Sequence, residues 1–368
     1  MEMKYEKRVR DEASASYSGV PGTNHTRVSW ESPSNIAIVK YWGKRTVQLP
    51  TNASLSVTLS HARTRMEVEC IYDDTVQGPR LDFQFEHDEA PQFRQRLEKY
   101  LEQVTPLLPF LGHARLMVRS ANTFPHSSGI ASSASALSAL ALALCDIEQE
   151  LFNRSHEDFY RKASLLARLG SGSASRSLYG GMALWGKTAG WTDSSDEYAI
   201  PIGEIHPNFR LLHDSILIIQ SGKKAVSSSH GHALMETNPF APTRFRQAEE
   251  NLQLLKPVLR NGDWGGFIDI MENEALTLHA MMMTSSPGYI LMAPHTVEAL
   301  HRIRDFRRET GTNLGFTLDA GANVHILFPE SEENNVTPFL NEQLKPLCEN
   351  QAVIKDVMGD GPERMSVQ

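Results

Sequence analysis

Hydrophobic and polar residues follow two different periods along this chain, and each period predicts a different kind of element. Alternation with a period of two, as in LDFQFEHD (81–88) and ARLMVRSAN (114–122), predicts β-strands that bury one face. Apolar residues spaced three and four apart predict helices over residues 91–108, 132–152, 156–169, 243–260, 263–283 and 294–310. Further strands are expected within residues 34–42, 49–72, 178–186, 214–220 and 315–329. The mixture predicts an α+β fold with two halves of sheet and helix.

Changes in composition predict where one part of the chain ends and the next begins. Residues 1–28 are polar and include SASYSGVPGTNHT, so we expect a flexible lead-in there. The stretch DEYAIPIGEIHPNFR, within residues 195–212, is the predicted seam between the two halves. We therefore expect an N-terminal domain over residues 29–205 and a C-terminal domain over residues 206–368.

Composition and charge narrow the class of protein. The 368 residues are 40% hydrophobic and 22% charged with a net charge of −8, which is typical of a soluble globular protein and argues against a nucleic-acid partner. The three cysteines are far apart, as free thiols in a reducing compartment would be. The charged N-terminus has no signal-peptide pattern, and the longest apolar run, 136–145, is too short to span a membrane. We expect a soluble, cytoplasmic protein.

The stretch FPHSSGIASSASALSALALAL (124–144) places a loop rich in serine and glycine directly before a helix-forming block. Backbone N–H groups at the start of such a helix, with the positive end of its dipole, suit a phosphate group. The pattern lacks the lysine of a P-loop. On composition alone the stretch is either a phosphate-binding loop or a glycine turn before a buried helix.

Three further stretches carry residues suited to an anionic substrate. RLGSGSASRSLYGG (168–181) combines small hydroxyl side chains with the guanidinium of Arg176, which can bind phosphate or carboxylate through two N–H groups. The alternative is a serine-rich surface loop that contains an arginine by chance. In NIAIVKYWGKR (35–45), Lys40 lies just inside an apolar strand, where a cation is costly unless it meets an anion; the alternative is a surface lysine whose ammonium reaches solvent. Asp319 lies between apolar residues and a glycine turn, either as a carboxylate over a pocket or as an ordinary turn former.

Taken in order, these stretches resemble one family. NIAIVKYWGKR, LPTNASLSVTLS, FPHSSGIASSASA, RLGSGSASRSLYGG and TLDAGAN together resemble the diphosphomevalonate decarboxylases of the GHMP kinase superfamily, over roughly residues 30–330. The resemblance implies a GHMP kinase-like fold, with an N-terminal ribosomal-S5-like domain, a C-terminal ferredoxin-like domain and the active site in the cleft between them. It also implies a homodimer that uses ATP and Mg²⁺.

The activity that this resemblance implies is the ATP-dependent decarboxylation of mevalonate 5-diphosphate to isopentenyl diphosphate, with release of ADP, phosphate and CO₂. This reaction belongs to the mevalonate pathway of isoprenoid biosynthesis. The alternatives are a decarboxylase of mevalonate 5-phosphate or the 3,5-bisphosphate, a mevalonate 3-kinase, or a non-catalytic binding protein with the same fold. Because Asp319, Lys40 and Arg176 are all present, the sequence favours a decarboxylase.

The resemblance also implies a role for individual residues. Asp319 matches the acid that orients or deprotonates the C3 hydroxyl, Lys40 matches the lysine beside it, and Arg176 matches the arginine that binds substrate anions. The residues expected to bind the substrate are Tyr41, Lys44, Ser171, Ser173, Arg176 and Ser228. The residues expected to bind the ATP phosphates are Ser127, Ser128, Gly129, Ile130, Ala131, Ser132 and Ser133, with Ser133 also a ligand of Mg²⁺. His230 and His232 are not expected to bind a metal, because no carboxylate or cysteine cluster accompanies them.

Overall fold

Seven strands form the larger of the two main sheets in the computed structural model, which describes residues 3–16, 21–45, 48–86, 90–125, 130, 132–222 and 228–367. The strands are β1 (His25–Val39), β4 (Ser54–Tyr72), β5 (Arg80–Phe85), β6 (Ala114–Asn122), β7 (Met182–Trp185), β8 (Ala199–Pro201) and β13 (Glu363–Met365). Their main order is β13-β1-β4-β6-β5, with β7 paired to β4 and β8 paired to β7. All pairs are antiparallel except β5 with β6. Strand β6 buries every second residue, as the alternation in its sequence predicts.

The smaller main sheet contains strands from the second half of the chain. It has the order β10-β11-β9-β12, with all neighbours antiparallel. Its strands are β9 (Leu212–Leu217), β10 (Gly315–Thr317), β11 (Val324–Pro329) and β12 (Val353–Val357). A short hairpin of β2 (Lys44–Arg45) and β3 (Leu49–Pro50) follows the first strand of the chain.

The helices cover both sheets, and most lie where their apolar spacing predicts. They are α1 (Lys4–Ser16), α2 (Pro91–Val104), α3 (Ser132–Phe152), α4 (Phe159–Gly170), α5 (Ser228–Leu234), α6 (Ala241–Asn261), α7 (Trp264–Met283), α8 (Pro294–Thr310) and α9 (Glu333–Phe339). Helix α3 is apolar over most of its circumference and is almost completely buried, since it packs against β1, β4 and α4. Within the described residues, no helix combines the length and the apolar character that crossing a membrane requires.

The expected flexible lead-in is wrong for residues 4–16, because these residues form the packed helix α1. The Glu197 carboxylate accepts the backbone N–H groups of Tyr5 (3.2 Å) and Glu6 (2.7 Å) at the start of this helix. The Glu6 side chain in turn accepts a hydrogen bond of 2.9 Å from the buried Arg168. Val9 is buried in the same core as α3. The polar composition indicated disorder, but these contacts come from residues far along the chain.

The two halves of the chain share a hydrophobic core. One cluster of buried side chains joins Ile36 of β1 and Leu55 of β4 to Leu252 of α6, Phe267 of α7 and Ile216 of β9. The last strand, β13, returns from the second half to pair with β1. The end of β1 and the turn between β10 and β11 also meet, and this contact brings Lys40 and Asp319 together.

Candidate active site

Lys40 and Asp319 form an ion pair where the two halves of the chain meet. Lys40 directly follows β1, and Asp319 lies just after β10, with 3.0 Å between the lysine Nζ and the carboxylate Oδ1. The lysine side chain is only 2% exposed, whereas that of Asp319 is 35% exposed. Burial lowers the pKa of the Lys40 ammonium, and the neighbouring Asp319 carboxylate opposes this shift. The arrangement is a buried cation beside a carboxylate that solvent and ligands can reach.

The loop that carries Asp319 is held by a histidine of α7. Nε2–H of His279 donates to the backbone carbonyl of Asp319 at 3.1 Å. Burial lowers the pKa of His279 to about 4, so its ring is neutral near pH 7. A neutral ring that donates to a carbonyl adds no charge to the site.

Arg176 is buried near the Lys40–Asp319 ion pair and interacts electrostatically with both of its members. It lies in a 3₁₀-helix, Gly172–Leu178, and its guanidinium donates to Ser56 Oγ (2.9 Å), Ser54 Oγ (2.6 Å) and Asn35 Oδ1 (3.3 Å). Burial lowers the pKa of Arg176 to about 10, and the negative charge of Asp319 acts against this shift. Three of the five guanidinium N–H groups are accounted for by these bonds. The neutral partners hold the guanidinium plane in place without cancelling its charge.

Tyr41 packs against aromatic rings from both halves of the chain. Its ring packs edge-on to Trp185 at 4.7 Å and lies 4.3 Å from the ring of His232 on α5. Among the described residues its buried phenolic oxygen has no hydrogen-bond partner, and burial raises the pKa of Tyr41. A Cβ added to Gly172 would lie 2.9 Å from the Tyr41 ring, so only glycine allows this close approach. The loop of Ser171 and Ser173 thus packs directly against Tyr41.

The remaining residues predicted to bind the substrate are Ser171, Ser173, Lys44 and Ser228. Ser171 and Ser173 lie 3.3 Å apart through their hydroxyl groups, and Asn35 donates to the Ser173 carbonyl at 3.1 Å. Lys44 Nζ donates to Gln48 at 3.3 Å, at the edge of the hairpin. Ser228 is the first residue of α5, and its side chain is not among those described.

Most of the predicted ATP-phosphate loop lies outside the described residues, namely Ser127, Ser128, Gly129 and Ala131. Ile130 is buried, and the half-buried Ser132 and Ser133 begin the 21-residue helix α3. The described part therefore supplies two hydroxyl groups at the N-terminus of a long helix. Such a position suits phosphate oxygens.

The described residues contain no group of three or more His, Cys, Asp or Glu side chains able to hold a metal ion. His232, which belongs to a histidine pair, accepts the Gly43 N–H through Nδ1 at 2.9 Å. Burial lowers the pKa of His232 to about 3. Mg²⁺ in nucleotide sites does not need a group of three such side chains, since one or two protein ligands together with phosphate oxygens and water usually hold it.

Sequence reasoning missed two parts of the site. Asn35 belongs to the NIAIVKYWGKR motif but was not predicted to be a site residue, yet its side chain donates to the Ser173 carbonyl and accepts from Arg176. Glu274 of α7 is fully buried beside Lys40 and was not identified. The available signal for Glu274 was its position on the apolar face of α7, four residues after Ile270 and four before Leu278, where a charged side chain is rare.

Comparisons with known proteins show which family the chain is similar to. A family model described as the diphosphomevalonate decarboxylase-like N-terminal domain matches residues 32–197, and one described as the mevalonate 5-diphosphate decarboxylase C-terminal domain matches residues 215–365. The diphosphomevalonate decarboxylase mvd1 of Aspergillus fumigatus is 32% identical over 340 residues, which cover 88% of this chain and 82% of that protein.

Solved structures show the same fold. The mevalonate diphosphate decarboxylase of Staphylococcus aureus superposes with a TM-score of 0.80 at 28% identity, covering 93% of this chain and 98% of that one. A structure of MDDEF in complex with MVAPP, AMPPCP and magnesium superposes with a TM-score of 0.77 at 27% identity, covering 93% and 100%. The expected GHMP kinase-like fold is confirmed. The chain belongs to the diphosphomevalonate decarboxylase family.

Proposed function

We propose that this protein converts mevalonate 5-diphosphate and ATP into isopentenyl diphosphate, ADP, phosphate and CO₂. The observation that carries the proposal is the Lys40–Asp319 ion pair of 3.0 Å, formed where the two halves meet and close to the buried Arg176. Family membership supports the same reaction. The solved relative with MVAPP, AMPPCP and magnesium supports ATP and Mg²⁺ as the cosubstrate and metal here.

Asp319 is proposed to receive the proton of the C3 hydroxyl as that oxygen attacks the γ-phosphate of ATP. A tertiary alcohol is a weak nucleophile, and a positioned carboxylate can accelerate proton transfer by about 100- to 10,000-fold. The side chain of Asp319 is partly exposed and can meet the substrate, while Lys40 compensates its charge from the buried side. Departure of the C3 phosphate then leaves positive character at C3, and loss of CO₂ supplies the electrons of the new double bond.

Arg176 is proposed to bind the substrate carboxylate or phosphate through N–H groups other than those that Ser54, Ser56 and Asn35 accept. Tyr41, Lys44, Ser171, Ser173 and Ser228 are proposed to hold the diphosphate. A fixed guanidinium contributes charge compensation without reorganisation during the reaction, which is how proteins stabilise phosphoryl transfer.

The segment 127–133 is proposed to hold the ATP phosphates at the N-terminus of α3, with Ser133 as a Mg²⁺ ligand. The two proposed domains are residues 29–205 and 206–368. Strand β13 is an exception to this division, because it belongs to the second range but pairs with β1 in the first sheet. We further propose a homodimer located in the cytoplasm; these two properties rest on the family resemblance and on composition.

An assay of three mevalonate phosphates tests the proposed reaction. The protein is incubated with Mg-ATP and with mevalonate 5-phosphate, 5-diphosphate or 3,5-bisphosphate, and ADP, phosphate and ¹⁴CO₂ are measured separately. We expect equal release of ADP, phosphate and CO₂ with the 5-diphosphate. Release of ADP without CO₂ would identify a 3-kinase, and faster turnover of either other substrate would reassign the specificity.

A further inference from the structure

The backbone of Lys40 is held on both sides by buried side chains. Its N–H group donates to Glu274 Oε2 at 2.8 Å. Its carbonyl oxygen accepts from Asn52 Nδ2 at 2.9 Å and from Arg244 Nη2 at 3.5 Å. Both backbone polar groups of Lys40 are therefore hydrogen-bonded to side chains of other parts of the chain.

Glu274 is the centre of this arrangement. Its Oε1 accepts from Arg244 Nη1 at 3.0 Å and from Asn251 at 2.6 Å, while its Oε2 accepts from Lys40 N–H and from Arg244 Nη2. The side chains of Glu274 and Arg244 are 0% and 1% exposed. A buried ion pair with this geometry is costly to assemble and is weak support for stability on its own account. Its four hydrogen bonds instead define one arrangement of the chain at Lys40.

We propose that Glu274 and Arg244 are positioning residues of the reaction: their buried ion pair fixes the backbone of Lys40 and so places its ammonium 3.0 Å from Asp319. This inference rests on the proposed function and adds to it two residues that do not touch the reacting atoms. Helices α6 and α7 would thereby act on the chemistry at the end of β1.

The Glu274 carboxylate also affects the pKa of the Lys40 ammonium. Burial lowers the pKa of Lys40; the negative charges of Asp319 and Glu274 oppose this shift, and Arg176 strengthens it. The charged and titratable groups that face or interact with Lys40 are Asp319, Glu274, Arg176, Arg244, Asp214 and His279. Neutralising Glu274 removes one of the negative charges that oppose this shift. The pKa of Lys40 should then fall further.

The test compares Glu274→Gln with Glu148→Gln. Glutamine can accept at only one of the two oxygen positions, so its NH₂ group must face N–H donors whichever way the amide is turned. Glu148 is the matched control, since it is also buried and paired with a cation, Lys162, but belongs to α3. Steady-state kinetics are measured from pH 6 to 10, and amide hydrogen exchange is followed in the peptide that contains Lys40.

For Glu274→Gln we expect kcat to fall by about 10- to 100-fold, as a misplaced catalytic group would cause, with smaller changes in KM. The alkaline limb of kcat should move to lower pH, because Lys40 loses its proton more easily. The Lys40 amide should exchange faster. Glu148→Gln should leave the alkaline limb and the exchange rate of the Lys40 amide unchanged. Glu274→Asp should keep the wild-type alkaline limb because it retains the negative charge. It should still lower kcat, because the shorter side chain cannot reach the same hydrogen-bond partners.

The inference is overturned if folded Glu274→Gln retains the wild-type kcat, alkaline limb and Lys40 exchange rate. It is equally overturned if Glu148→Gln produces the same changes, since general destabilisation would then explain them. A wild-type protein that releases no CO₂ contradicts the proposed function instead. In that case the exchange comparison still decides whether Glu274 fixes Lys40.

Discussion

Replacing Asp319 by asparagine separates the charge of this side chain from its shape. The amide can still accept from Lys40 Nζ, which lies 3.0 Å from Oδ1, but it cannot take a proton from the substrate hydroxyl. We therefore expect turnover to fall while nucleotide binding persists. The substitution also leaves the buried Lys40 ammonium without its nearest negative charge.

Two magnitudes follow from the geometry. Loss of a positioned general base should lower kcat by about 1,000-fold, within the usual range for such groups. At 3.0 Å, an effective dielectric constant of about 20 gives the ion pair a gross attraction of roughly 5 kcal/mol. Because the Asp319 side chain is 35% exposed, solvent screens most of this attraction, and we expect a net loss of stability of about 1 kcal/mol.

Coupled ADP release and trapping of ¹⁴CO₂ measure turnover, and titration calorimetry measures the binding of a non-hydrolysable ATP analogue. Asp263→Asn is a suitable control, because Asp263 caps α7 through the Gly266 N–H at 3.0 Å and asparagine caps helices equally well. Activity of Asp319→Asn within tenfold of wild type would show that another group takes the proton. Loss of analogue binding would show that the substitution disturbs more than the reacting centre.

Three further predictions concern charge at other positions. Arg176→Lys should lower kcat/KM for mevalonate 5-diphosphate by about 100-fold, since an ammonium cannot replace the guanidinium fork; unchanged kinetics would make Arg176 structural. Burial lowers the pKa of His232 to about 3 and that of His279 to about 4, so below pH 6.5 the unfolded chain binds protons that the folded chain does not. The free energy of unfolding in urea should therefore fall as pH drops from 6.5 to 4, by up to about 1.4 kcal/mol per histidine and pH unit. A flat profile from pH 4 to 6.5 would contradict their burial as neutral rings. Glu6→Gln should destabilise the fold by about 3 kcal/mol, because it removes the carboxylate that the buried Arg168 contacts at 2.9 Å. An unchanged midpoint of thermal unfolding would refute this prediction.

Local pattern determined much of the secondary structure. The apolar block predicted over residues 132–152 is helix α3 (Ser132–Phe152), and the pattern over residues 263–283 is α7 (Trp264–Met283). Such helices bury a broad apolar surface, so their periodicity is visible without knowledge of their neighbours. Helix α1 was missed because its stability comes from Glu197 and from Arg168, far along the chain.

Motif and residue type determined which chemistry to look for. Lys40, Arg176 and Asp319 stood out because a buried cation, a guanidinium among serines and a carboxylate before a glycine turn suit a polyanionic substrate. Their family context identified the fold, which the solved relatives confirm. The roles of these three residues stay predictions until the substitutions are measured.

Only the tertiary structure decided how these groups meet. Lys40 and Asp319 are separated by 279 positions, and Glu274 lies 234 positions from the backbone N–H that it accepts. Local periodicity reports which face of an element is buried, but not which side chain of another element lies opposite. Burial and charge pairing arise at that contact, so the lowered pKa of Lys40 and the ion pair that supports its backbone are properties of the folded chain.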